Sequence, residues 1–308
     1  MTKNMQNNNE ILLSDLISIL WNSKLLIFSV IFLSSLAGVF YSLSLENFYK
    51  SSALVQVTSP NSGETSSAGI GGIASFAGLS IPGGLSNSRT DFAIAKLNSK
   101  EFFNALLKKH DLLPSLLATA EYDFVLNKIK FDEDIYDEEL GKWIRVVSAP
   151  TLPEPSYLEA HESFLTNTFS VSLDDNSGYL ILSVEHMSPF FAHDLLRIIV
   201  TELNDESRKK ELVDIENSLE FLTKELLNTS TAVVSSSISK LIESQLRSKM
   251  LAYSDKDFLI SYIDPPFVPE RKSRPSRAMI CIAFFMLGTF LSLIMAILID
   301  AIKSYKRI

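Results

Sequence analysis

The sequence predicts an α+β chain in which two membrane-spanning helices flank a single central domain carrying a long helical hairpin. Three observations predict it. Two uncharged apolar runs, Leu25 to Leu45 and Ala278 to Ile299, sit at opposite ends of the chain, each bracketed by charges: Lys24 and Glu46, Arg277 and Asp300. Each has about the 20 residues an α-helix needs to cross a bilayer core. Between them lie period-two segments that read as strands and one helical pattern long enough to project well beyond a base.

These boundaries divide the chain into an N-terminal segment 1–24, a first span 25–45, a central domain 46–277, a second span 278–299 and a tail 300–308. Of the net charge of −8, the first segment contributes zero and the tail +2, so the domain carries −10. An acidic domain of this kind argues against nucleic acid as a partner. The single cysteine, Cys281, falls inside the second span, so the domain forms no disulfide and cysteine usage does not locate it. A cleaved signal peptide is the rival reading of the first run. Because 24 residues precede it and no small-x-small site follows, an uncleaved anchor is expected. Leu36-Ala37-Gly38 resembles the start of a lipoprotein box, but Val39 stands where the cysteine is needed. Basic residues tie across the membrane, with Lys3, Lys24, Lys303, Lys306 and Arg307 set against Lys50, Arg271, Lys272, Arg274 and Arg277. Since long loops translocate regardless of charge, both termini are expected in the cytoplasm.

Along the chain, Glu10 to Trp21 carries an apolar face at helical spacing and reads as an interfacial helix. Ser34, Gly38 and Ser42 in the first span, and Gly288, Ser292 and Ala296 in the second, place small residues four apart, which lets helix backbones approach closely. Ala53, Val55 and Val57 alternate with polar residues as a strand. A Gly/Ser-rich loop is expected over 61–88, then a helix over Thr90 to His110 and further helices beyond Leu117. The acidic run Asp132 to Glu139 reads as a solvated face or turn. Phe164 to Leu173 and Gly178 to Glu185 flank a turn sequence and predict a β-hairpin.

Pro189 to about Asn228 predicts a long helix behind Ser188 as N-cap, on the order of 60 Å long at 1.5 Å per residue. Within it Leu212, Ile215, Leu219, Leu222 and Leu226 form a packing seam at spacings of three and four. Thr229 to Ser237 breaks the pattern, and a weaker helix to about Ala252 predicts an antiparallel return. The seam fits packing within one subunit or a coiled coil between copies. Phe258 to Ile263 reads as a strand able to pair with Ala53 to Val57.

Motifs for chemistry are missing. The four histidines, His110, His161, His186 and His193, lack metal-ligand spacing and fit surface or capping roles. The acidic run has no calcium-loop pattern, the glycine-rich stretch has no Walker lysine, and no Ser-centred elbow or nucleophilic cysteine occurs in the domain. No catalytic residue, metal or cofactor is expected, and the domain reads as non-enzymatic.

The order of features becomes specific near the second span: a long helix carrying Leu203-Asn204, then Met250-Leu251-Ala252, the strand Phe258 to Ile263, Asp264-Pro265, Pro269-Glu270, Pro275 and a terminal span with a short basic tail. Together with the strand after the first span and the Gly/Ser-rich loop, this resembles the chain-length determinants of the Wzz type, the polysaccharide co-polymerases of Gram-negative bacteria. Ser273 is followed by Arg274 rather than by proline, a departure from the family pattern. The resemblance implies an inner-membrane protein with a periplasmic α/β base, a helix projecting outward, and ring-like homo-oligomers. Such oligomers work with the polymerase to set the modal length of a surface polysaccharide such as lipopolysaccharide O-antigen. It maps the proline-rich membrane-proximal segment onto Pro265, Pro266, Pro269 and Pro275. Arg271, Lys272, Arg274 and Arg277 are candidate contacts for lipid headgroups, the polymerase or the glycan. Other readings of this topology are a component of ABC-transporter-dependent capsule export and a two-span periplasmic sensor or adaptor.

Overall fold

The computed structural model describes residues 21, 23–58, 85–174 and 176–305. The expected interfacial helix and most of the Gly/Ser-rich loop lie outside the described residues. Two compact units emerge: Met1–Asn47 with Ser273–Ile308, and Phe48–Lys272.

The first unit is a pair of helices, α1 (Lys24–Ser44) and α8 (Arg277–Tyr305), packed against each other. Both are long and apolar enough to cross a membrane, and most of their large apolar side chains point outward. That inverted distribution suits a lipid solvent, because helices satisfy every backbone donor internally.

The second unit is built on an antiparallel sheet of β1 (Phe48–Val57), β6 (Phe169–Leu173), β7 (Leu180–His186) and β8 (Ile260–Asp264), in the order β6-β7-β1-β8. Alternation dictates the faces: Ser51, Ala53 and Val55 of β1 point inward while Lys50, Ser52 and Gln56 face out. Ala53 pairs with Leu182, and Val55 with Tyr262, so the expected pairing of the last strand with Ala53 to Val57 is present. Strand β8 begins at Ile260 rather than Phe258. On the inner face Val55, Leu180, Leu182 and Val184 pack with Leu195, Leu196, Ile199 and Leu203 of the long helix and with Phe102, Phe103 and Leu106. Each such side chain contributes about 1.5–3 kcal/mol by leaving water.

The long helix α6 spans Pro189–Asn228 as predicted. Ser188 Oγ accepts the Phe191 N–H at 3.2 Å, and proline at the first position lacks the donor that the helix start leaves orphaned. Helix α7 (Ala232–Ser254) returns along it, so the break covers only 229–231 and not the stretch to Ser237. Asp255 N–H bonds Leu251 O where α7 ends.

Other expectations are corrected. The helix expected over Thr90 to His110 is two, α2 (Leu85–Leu97) and α3 (Lys100–His110), because Ser99 turns extended and its Oγ caps the Phe102 N–H at 3.2 Å. Helix α2 also takes the last residues assigned to the Gly/Ser loop. After α4 (Leu113–Leu117) the chain forms strands and not further helices: β2 (Thr119–Asp123) with β3 (Lys128–Phe131), and β4 (Tyr136–Asp137) with β5 (Lys142–Trp143). The hairpin β6–β7 is present. Its first strand starts five residues later than Phe164, since Phe164–Thr168 is a π-helical turn that follows α5 (Tyr157–Ser163).

Two histidines are buried rather than on the surface. His161 Nε2 donates to Asn98 O at 3.0 Å. His186 Nε2 donates to Ser115 O at 2.9 Å, and its Nδ1 accepts the Ser188 N–H at 3.0 Å. His110 instead joins Lys109 on Glu202, at 2.9 and 2.6 Å. Burial pushes the Glu202 carboxyl up, but these two partners outweigh it and hold the group below the usual carboxylate range.

Candidate functional site

Among the described residues no group of histidine, cysteine, aspartate and glutamate has the geometry of a metal site. Three packing surfaces stand out.

The first is the seam of the helix pair. Ser34 Oγ donates to Phe284 O at 2.7 Å across the pair. A Cβ added at Gly38 would lie 2.6 Å from Phe284 Cβ, and one at Gly288 would lie 2.6 Å from Ser34 Cβ. Glycine at both positions is what lets the backbones approach this closely. Ser42, Ser292 and Ala296 are buried along the same line, and Ser292 Oγ donates to Thr289 O at 2.7 Å. Of the six small residues picked from their spacing, Ser34, Gly38 and Gly288 meet the opposite helix, and Ser42, Ser292 and Ala296 are buried.

The second is the helical hairpin. Ile215 is buried, and Leu212, Leu219, Leu222 and Leu226 are half-buried on the same stripe of α6. Lys249 Nζ on α7 bonds Glu216 Oε1 at 2.9 Å, fixing the register of the two helices. The outer faces remain apolar in part: Val213, Phe221 and Leu227 on α6, and Val234, Leu241 and Leu246 on α7, are exposed. These exposed apolar side chains are the hairpin's candidates for a contact surface.

The third is the segment between β8 and the second apolar helix, which includes a short strand, Lys272–Arg274. Pro266 is buried, Pro269 and Pro275 are half-buried, and Pro265 is exposed. Ser51 Oγ donates to Phe267 O at 2.9 Å, which ties this extended segment to β1. Proline fixes φ and removes a donor, so no helix forms here. Arg271, Lys272 and Arg274 are exposed, whereas Arg277 is half-buried with its Nη2 3.3 Å from Asn47 Oδ1. The four basic residues therefore do not form one uniform surface.

Sequence reasoning named Asn204 as part of the family pattern but gave it no structural role. Asn204 is buried among the apolar side chains of α6, where its Nδ2 donates to Ile260 O and its Oδ1 accepts the N–H groups of Leu259 and Ile260. The available signal was a lone amide on the face defined by Leu196, Ile199, Val200 and Leu203, since a buried amide needs partners.

One comparison with known proteins, a family model, agrees with the resemblance read from the order of features. Residues 9–110 match the family model "Wzz: Chain length determinant protein". A search of curated proteins finds no match. Among solved structures, a full-length bacterial polysaccharide co-polymerase is similar at 13% identity and a TM-score of 0.42, covering 95% of this chain and 99% of its own.

Proposed function

We propose that this chain is a two-pass inner-membrane regulator of surface-polysaccharide chain length, acting as a homo-oligomer beside the polymerase. The match of residues 9–110 to the chain-length determinant model carries the reading. Two apolar helices at the ends of the fold and a 40-residue helix folded back on its neighbour support it.

In this reading the termini are cytoplasmic and the mixed domain is periplasmic. The exposed apolar faces of α6 and α7 meet neighbouring copies, and Arg271, Lys272 and Arg274 face headgroups, polymerase or glycan. Regulation follows from assembly: a ring of copies presents the polymerase with a surface that biases extension against termination, and no covalent step is performed by this chain.

The test is a gel of surface polysaccharide from cells with and without the chain. Deletion is expected to broaden or collapse the modal length cluster while synthesis continues. Complete loss of surface glycan would overturn the reading in favour of export, and an unchanged ladder would overturn it outright.

A further inference from the structure

The β2–β3 hairpin ends in an apolar turn that the interior does not use. Phe124, Val125 and Leu126 are consecutive and all exposed, Val125 at 92%. This turn is built rather than slack. Asp123 Oδ1 accepts the N–H groups of Val125 and Leu126 at 2.9 and 3.1 Å, and Asn127 closes the turn in the left-handed region at φ 50°. Tyr122 donates its hydroxyl to Asn127 Oδ1, and its ring stands edge-on to Phe124 at 4.7 Å. Three adjacent apolar side chains held outward by such a scaffold are unfavourable in water and call for a partner.

Chain connectivity says where the turn lies. The Phe124 ring meets Tyr49 edge-on at 5.6 Å. Tyr49 is the second residue of β1, five residues beyond Ser44, the last residue of α1. Five residues reach at most about 17 Å when fully extended, so the chain itself tethers Tyr49 within that distance of Ser44. Ser51, two residues on and on the same face of β1, bonds Phe267 O, which brings the chain leading to the second span to the same end of the strand. The lysines of the hairpin are already paired, Lys128 with Glu138 at 3.1 Å and Lys130 with Glu121 at 3.2 Å. An anionic headgroup or glycan would compete with those carboxylates, whereas the exposed apolar turn suits the boundary between headgroups and acyl chains.

We propose that the turn Phe124 to Leu126 dips into the interfacial layer of the bilayer, as a third and non-spanning contact of the domain with the membrane. The proposal rests on the two-span reading of α1 and α8. Two spans fix a point, and a third contact off their axis fixes an attitude, holding the helical hairpin at a set angle to the membrane.

The experiment uses the full chain with Cys281→Ser, reconstituted into phosphatidylethanolamine–phosphatidylglycerol vesicles and labelled with an environment-sensitive fluorophore at one new cysteine. The sites are Val125→Cys, Phe32→Cys within α1, and Val233→Cys at the far end of the helical hairpin. The label at 125 is expected to shift to the blue and lose intensity to shallow spin-labelled lipids, that at 32 to deep ones, and that at 233 to neither. A label at 125 that behaves like the one at 233, with 32 quenched, overturns the proposal and leaves the spans intact. A blue shift at 125 without quenching by lipid places the turn against protein and also overturns it. Absence of quenching at 32 removes the two-span reading, and the proposal with it.

Discussion

Asn204 and Ile260 are joined by both edges of their amides: Asn204 Nδ2 donates to Ile260 O at 2.8 Å, and Asn204 Oδ1 accepts the Ile260 N–H at 2.9 Å. A second N–H, from Leu259, reaches the same oxygen at 2.8 Å. The long helix thereby grips the strand that precedes the proline-rich segment. Replacing Asn204 with leucine keeps the volume but leaves two buried backbone donors and one acceptor without a partner. The expected loss is about 3 kcal/mol in chemical denaturation of the full chain. A loss below about 0.5 kcal/mol would show that the strand is held by packing alone.

His186 makes domain stability depend on pH. Burial of the ring lowers its pKa from 6.5 to about 4, and Nδ1 is already occupied by the Ser188 N–H, so a second proton has no place. The unfolded chain binds that proton near pH 6.5 and the folded one does not. Stability is therefore fully present above about 6.5 and falls as pH drops toward 4, by about 2 kcal/mol at pH 5. Denaturation midpoints at pH 7 and 5 check this. In His186→Gln the fall between the two pH values is expected to shrink by that amount, whatever the variant's stability at pH 7.

The close approach of the two apolar helices depends on Gly288 facing Ser34. Adding a methyl group in Gly288→Ala brings Cβ to 2.6 Å from Ser34 Cβ, so one helix must shift. The expected cost is about 1–2 kcal/mol in unfolding from mixed micelles. Ser34→Gly removes the opposing carbon and its bond to Phe284 O, so the double variant is expected to recover part of the loss. Additive losses would mean that the two positions do not touch.

How far the fold could be read from residues alone depended on whether the signal was local. The start of the long helix was legible because Ser188-Pro189 is a start signal, and the β6–β7 pairing because Asp174 to Gly178 is a turn sequence. The β2–β3 hairpin was not, since its turn holds Phe124-Val125-Leu126 and closes on Asn127 instead of glycine, so a helical continuation looked natural. The split at Ser99 was also hidden: a serine inside a helical pattern is ambiguous until its hydroxyl is seen to cap Phe102. Gly38 and Gly288 sit where close helix approach leaves no room for a Cβ, which is why the four-residue spacing of small residues around each carried a signal. The role of Asn204 was not legible, because its partners lie more than 50 residues away in sequence.

Within the helical hairpin, Ile215 and Phe221 separate folding from assembly. Ile215 is 3% exposed on the seam between α6 and α7, whereas Phe221 is 63% exposed on the same helix. Truncation in Ile215→Ala leaves a void on the seam between the two helices, at an expected cost of about 2–4 kcal/mol and with early melting of helical circular dichroism. Phe221→Lys removes no internal contact of that kind, and its stability is expected to stay within about 0.5 kcal/mol of the parent. If the outer face of α6 meets neighbouring copies, the lysine introduces an unpaired charge into each such contact, and the assembly mass of the reconstituted protein falls. Mass photometry in lipid nanodiscs reads this directly. An unchanged mass for Phe221→Lys would move the contact between copies to another face, such as that of Leu241 on α7.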